Sequence, residues 1–234
     1  MNKINENYVI IGALDAEIDE YVMHLKNPVK RTWKEFIVYE GILFNKNVIV
    51  AKSGVGKVFA ALTTQRLIDA YQPKCVIFSG VAGALNVTYD IGDVVIAEDC
   101  IQHDLDATGL GFPRGTIPYT DYRYFQSDEK LVDIALSANI PHTIYKGRIL
   151  TGDQFLTKKE INDYKYLSEE LKGDVIEMEG AAVGLVCTLN EIPFVIIRTI
   201  ADKANEEASL NFKNFLPEVA ANSFHIVHHI LNEY

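Results

Sequence analysis

Ile176-Glu177-Met178-Glu179-Gly180-Ala181-Ala182 and Ile197-Arg198-Thr199-Ile200-Ala201-Asp202-Lys203-Ala204 set the architecture of this chain. A strand gives way to a helix at Glu177–Glu179, helical spacing continues over Gly180–Leu189, and Phe194–Ile200 returns as an apolar strand. Strand, helix and strand in that order make a crossover unit of an α/β fold. Acidic residues interrupt both apolar segments. Burying an ionised carboxylate costs several kcal/mol unless it is paired or hydrogen-bonded. Residues placed so expensively point to use, so Glu177, Glu179, Arg198 and Asp202 are candidate site residues.

The same alternation extends outward. Tyr8–Gly12 reads as a buried strand and Asp15–Leu25 as a helix with Ile18, Tyr21, Val22 and Leu25 on one face. Strands are expected at Glu35–Tyr39 and Asn47–Ala51, turning near Asn45. After Ser53-Gly54-Val55-Gly56-Lys57, Val58–Tyr71 reads as a helix. Cys75–Ser79 reads as a strand stopped by Gly80-Val81-Ala82-Gly83. Further strands are expected at Asp93–Ala97 and Thr143–Leu150. Helices are expected at Asp128–Ser137, capped by Asp128, at Lys158–Leu167 and at Asn211–Glu233. Ala107–Phe125, rich in Gly, Pro and aromatics, reads as a long irregular loop of the kind that serves function or a partner.

Composition narrows the classes. The 234 residues suit one domain of residues 1–234, with 48% hydrophobic and 23% charged content. A net charge of −10 argues against nucleic acid as a partner. Cys75, Cys100 and Cys187 are odd in number and lack CxxC spacing, so reduced core thiols in a cytoplasmic protein are expected. The polar Met1–Asn7 segment lacks the pattern of a signal peptide, and no apolar run reaches the roughly 18 residues of a membrane span.

Several motifs fail on inspection. Ser53-Gly54-Val55-Gly56-Lys57 lacks the first Gly of a phosphate loop and carries Val58 where a magnesium-binding Ser or Thr belongs. Phe59 occupies the third Gly position of a dinucleotide fingerprint. His103-Asp104-Leu105-Asp106 has no second His at zinc spacing, so no metal and no cofactor are expected. Nothing supports a Ser or Cys nucleophile. What survives is positional: Glu17, Glu179 and Asp202 each follow a strand end, where open α/β sheets bind ligands.

Those residues carry a resemblance. Ile11-Gly12-Ala13 through Glu17, Ser53–Val58, Ser79-Gly80-Val81-Ala82-Gly83, Gly92–Val95, His103–Asp106, Gly152-Asp153-Gln154-Phe155, Glu177–Ala181 and Ile200-Ala201-Asp202 together resemble the bacterial 5′-methylthioadenosine/S-adenosylhomocysteine nucleosidases of the purine and uridine phosphorylase superfamily. The resemblance implies a three-layer sandwich, with a central mixed twisted sheet flanked by helices. It implies hydrolysis of an N-glycosidic bond that releases adenine and a 5-substituted ribose. By the same resemblance Asp202 protonates N7 of the purine, Glu17 activates water, and Glu179 binds the ribose hydroxyls. Met178 lies against the ribose and Phe155 stacks on the base. The backbone of Phe155 and Leu156 reads the adenine edge, Phe212 lines the 5′ end, Arg198 helps position the acidic residues, and Glu177 is counted among the substrate-binding residues.

Val81 and Ala201 stand where the family commonly has Ser, which bears on substrate preference rather than reaction type. Phe78–Gly83, Gln102–Asp106 and Gly152–Phe155 look more like the branch that also cleaves 6-amino-6-deoxyfutalosine. The loop after His103, through Leu110 and Pro118, is implied to complete the neighbour's site in a homodimer. Two alternatives remain open at this stage. One is a phosphorylase of the same fold using phosphate as nucleophile. The other is a non-catalytic nucleoside-binding protein.

Overall fold

The computed structural model describes residues 6–202 and 222–234. Its framework is a 10-stranded mixed sheet. The strands are β1 (Asn7–Gly12), β2 (Lys26–Trp33), β3 (Phe36–Leu43), β4 (Lys46–Lys52), β5 (Cys75–Ala84), β6 (Val94–Gln102), β7 (Phe125–Gln126), β8 (Ile144–Thr151), β9 (Val175–Glu177) and β10 (Phe194–Asp202). Between them lie helices α1 (Asp15–His24), α2 (Lys57–Tyr71), α3 (Glu129–Leu136), α4 (Lys158–Asp163), α5 (Tyr166–Glu169) and α6 (Gly180–Leu189), with α7 covering 222–233.

Apolar runs become central strands because both of their faces are covered. On β1, Val9 and Ile11 join one core cluster while Tyr8 and Ile10 join the other. The same alternation holds on β5, where Val76 and Phe78 oppose Cys75 and Ile77, and on β10, where Ile196 opposes Val195 and Ile197. Residues of α2 and α6 pack into the first cluster, and residues of α1, α3 and α7 into the second. Helices therefore cover both faces, giving the expected α/β/α layering. All three cysteines are free and buried.

Sheet order is β10-β6-β8-β9-β5-β1-β4-β3-β2, and β10 also pairs with β5, closing one end of the sheet on itself. β5 is the hinge of this arrangement. One of its edges pairs with β1 only as far as Phe78 and with β9 only from Gly83 onward. The backbone of 79–82 is left without a strand partner on that edge, and the site is built there.

Three expectations need correction. The Gly80-Val81-Ala82-Gly83 segment does not stop β5; the strand runs through it to Ala84, because β10 pairs along its whole length as far as Gly83. Lys158–Leu167 is broken into α4 and α5. β2 went unanticipated: its sequence KNPVKRTW is almost wholly exposed. Its pairing with β3 shifts register between Lys26 and Val29, around Pro28. An edge strand tolerates a proline and a bulge that a central strand would not, so it carries no apolar periodicity to read. Asp128 caps α3 as expected, accepting from the Leu131 N–H at 3.0 Å.

Candidate active site

Glu17 enters the site from the first turn of α1. Its Oε2 accepts from the backbone N–H groups of Ala13 (2.6 Å) and Leu14 (3.0 Å). Its Oε1 accepts from the Val81 N–H at 2.9 Å, in the unpartnered stretch of β5. A carboxylate thus takes the place of a neighbouring strand. Burial pushes the Glu17 carboxyl above its ordinary range, with Arg198 and the three N–H groups pulling the other way.

The glycines make this possible. A Cβ at Gly80 would sit 2.5 Å from Glu17 Oε1 and 2.8 Å from Arg198 Nη1, and one at Gly83 would sit 3.0 Å from Asp202 Oδ1. Both glycines admit the protein's own carboxylates against the backbone of β5.

The end of β9 organises the opposite wall. Glu177 Oε2 accepts from the N–H groups of Glu179 (3.0 Å) and Gly180 (2.7 Å), satisfying donors at the start of α6. It also receives Arg198 Nη2 at 2.5 Å and Nε at 3.2 Å. Thr151 Oγ1 bonds Glu177 Oε1 and accepts the Ala181 N–H at 2.8 Å. Arg198 is 1% exposed, and its guanidinium lies 4.3 Å from the centre of the Phe78 ring. Glu177 and Arg198 are consequently partners of each other beneath the site.

Glu179 does not continue the strand. β9 ends at Glu177, and Glu179 is the N-cap of α6. The helix begins at once after the strand, as expected, and Glu177, Met178 and Glu179 all line the cavity. Glu179 Oε1 accepts the Gly56 N–H at 2.8 Å. Burial, then the neighbouring Glu177 charge, push the Glu179 carboxyl up to about 8.

Between these walls lies a cavity of about 330 Å³. Glu17, Val81, Met178, Glu179, Asp202 and the half-exposed Phe155 border it. A smaller adjoining lobe runs between Gln154, Leu156 and Asp202. Asp202 is 3% exposed at the end of β10. Among the described residues, no group of His, Cys, Asp and Glu has a geometry that could hold a metal ion. No helix among them is long and apolar enough to cross a membrane.

Comparison with known proteins places this geometry. Residues 7–232 match the phosphorylase superfamily. A 5′-methylthioadenosine/S-adenosylhomocysteine nucleosidase of Exiguobacterium sp. is 36% identical over 225 residues, covering 93% of this chain and 94% of the relative. That of Bacillus subtilis is 36% identical over 222 residues, with 93% and 95% covered. The nucleosidase of Neisseria meningitidis, solved with methylthio-immucillin-A, superposes with a TM-score of 0.92 at 33% identity, covering 98% of this chain and all of that one. The futalosine hydrolase of Helicobacter pylori superposes at 0.91 with 32% identity, with 99% of each chain covered. The chain belongs to the phosphorylase superfamily, among its nucleosidases.

As a member of this superfamily, the chain gathers seven of the residues singled out from sequence at the main cavity: Glu17, Val81, Phe155, Glu177, Met178, Glu179 and Asp202. Leu156 borders the smaller lobe, and Arg198 lies behind the wall. Leu110, 69% exposed, and Pro118 lie outside the cavity of their own chain. Phe212 lies outside the described residues. Sequence reasoning missed Thr151 and the Gly56 N–H as partners of Glu177 and Glu179. Each lies far from its partner along the chain, Thr151 26 residues from Glu177 and Gly56 123 residues from Glu179.

Proposed function

We propose that this cavity hydrolyses the N-glycosidic bond of adenine nucleosides carrying a 5′ substituent, with 5′-methylthioadenosine, S-adenosylhomocysteine and 6-amino-6-deoxyfutalosine as the substrates to test. Asp202 donates a proton to N7 as the C1′–N9 bond breaks and its electron pair passes to the purine. Water forms the new bond to C1′ and gives its proton to Glu17. The intermediate charge is oxocarbenium-like, so an acid on the leaving group and a base on water are both needed. Glu179 and Met178 hold the ribose, and Phe155 stacks on the base in the lobe beside Leu156.

One observation carries water over phosphate as nucleophile. The cavity is bordered by Glu17, Glu177, Glu179 and Asp202, while the buried Arg198 is bonded to Glu177. A phosphate dianion needs a cationic cradle that these carboxylates oppose. The intact set Glu17, Glu179 and Asp202 likewise favours catalysis over simple binding.

We also infer a homodimer. Val58 (78% exposed), Leu62 (46%) and Leu189 (57%) leave an apolar surface on α2 and α6, and the exposed loop after His103 carries Leu110 and Pro118 to the partner's cavity. The deciding experiment is adenine release from the three nucleosides with and without phosphate. Phosphate-independent release supports the hydrolase, and release only with phosphate refutes it. Sedimentation at micromolar concentration tests the dimer.

A further inference from the structure

The N-terminal end of α2 is tied to two loops by charges that never touch the cavity. Lys57 Nζ reaches Asp104 Oδ1 at 2.6 Å, in the turn after β6, and Asp153 Oδ2 at 3.4 Å, in the turn after β8. The loops are also bonded to each other and to the helix. The Lys57 backbone N–H donates to Asp153 Oδ1 at 3.0 Å, and the Asp153 N–H donates to Asp104 Oδ2 at 2.9 Å. Lys57 and Asp104 are mostly covered, with side-chain exposures of 16% and 25%. A pair so shielded is worth more than the fraction of a kcal/mol typical of an exposed one.

What this cluster holds is the residue before it. Gly56 caps α2 with φ +96°, a conformation that favours glycine, and its N–H donates to Glu179 Oε1. A Cβ at Gly56 would lie 3.4 Å from Asp153 Oδ1, so the Asp153 carboxylate packs over this turn. The Gly56 carbonyl is held by the Ala60 N–H at 3.1 Å, and the rest of its aim depends on its neighbours, because a glycine at positive φ turns freely unless they are pinned. Lys57 is that neighbour, and it is pinned at both its backbone N–H and its side chain.

We propose that Lys57, Asp104 and Asp153 form a latch whose task is to aim the Gly56 N–H at Glu179, making them positioning residues for the carboxylate that binds ribose. The inference rests on the nucleosidase reading for the role of Glu179, and the geometry of the latch stands apart from it. A bond lost here displaces a wall of the site, and displacements near 1 Å can cost on the order of 10²-fold in rate.

A double-mutant cycle reads the coupling. Asp104→Ala is expected to lower kcat/KM for methylthioadenosine by about 10–100-fold, and Lys57→Met by a similar factor. In a Glu179→Ala background, which leaves the Gly56 N–H no side-chain acceptor, Asp104→Ala is expected to cost less than about 3-fold. A merely structural latch would cost the same in both backgrounds, and that additivity overturns the proposal. Amide exchange supplies a readout free of turnover. The Gly56 amide is expected to exchange at least about tenfold faster in both latch variants, while the β5 and β10 amides stay protected. An unchanged Gly56 amide overturns the latch even if the enzyme is active. Absence of adenine release by the unsubstituted protein overturns the nucleosidase reading, and the exchange result then decides the latch alone.

Discussion

Replacing Arg198 with Met tests the electrostatic floor of the site. Arg198 is buried, donates through Nε and Nη2 to Glu177, and lies 3.8 Å from Glu179. Met keeps the apolar stem against Phe78 and removes the charge. Glu177 then retains Thr151 and the N–H groups of Glu179 and Gly180, but loses its cation. Breaking a buried pair from one side costs about 3–5 kcal/mol. A domain of this kind has about 5–15 kcal/mol in all, so the single variant should lose at least about a fifth of its stability in urea titrations. Arg198→Met with Glu177→Gln removes both charges and should regain at least half of that loss. Activity should not return with stability. Arg198 pulls down the carboxyls of both Glu17 and Glu179, so without it both stay protonated to higher pH and the rate profile moves to the alkaline side. A single-variant cost below about 1 kcal/mol, or a double variant less stable than the single, refutes the account of a charge pair holding the site.

Asp202→Asn should abolish nearly all adenine release, by at least about 10²–10⁴-fold, while the circular dichroism spectrum and melting temperature stay near those of the parent. Gly80→Ala should lower activity about 100-fold or more and cost roughly 1–3 kcal/mol, since the new methyl falls on Glu17 and Arg198. A crystal structure of that variant with Glu17 still on the Val81 N–H would contradict the prediction. Glu179 titrates near 8 when folded and near 4.5 when not, so the folded state holds a proton that the unfolded chain gives up in between. Stability therefore falls as pH rises through that window. Glu179→Gln should flatten this fall by about 2–4 kcal/mol, measured by denaturation at either end; an unchanged slope would place the shift on another group.

Much of this was legible in the chain. Tyr8–Gly12 and Cys75–Ser79 are nearly unbroken apolar runs, and Phe194–Ile200 is one but for Arg198 and Thr199, as strands covered on both faces require. Glu17, Glu179 and Asp202 stood out because each follows such a run, at the end of the sheet where ligands bind. The superfamily's motifs, spread over most of the chain, supplied the chemistry. Asp128 as a cap was equally local, because a cap and its N–H lie three residues apart.

Tertiary structure decided what depends on residues distant in sequence. Gly80 and Gly83 look like a turn until β10 is laid along them and two carboxylates are pressed against their backbone. Glu17 and Val81 are 64 residues apart, and no periodicity connects them. Glu177 and Glu179 look equivalent in sequence, yet one is committed to Arg198 and Thr151 while the other is held at its free edge by Gly56. Hydrophobic patterning is a property of neighbours along the chain. The partner of a buried charge is chosen by desolvation, which only the closed fold imposes.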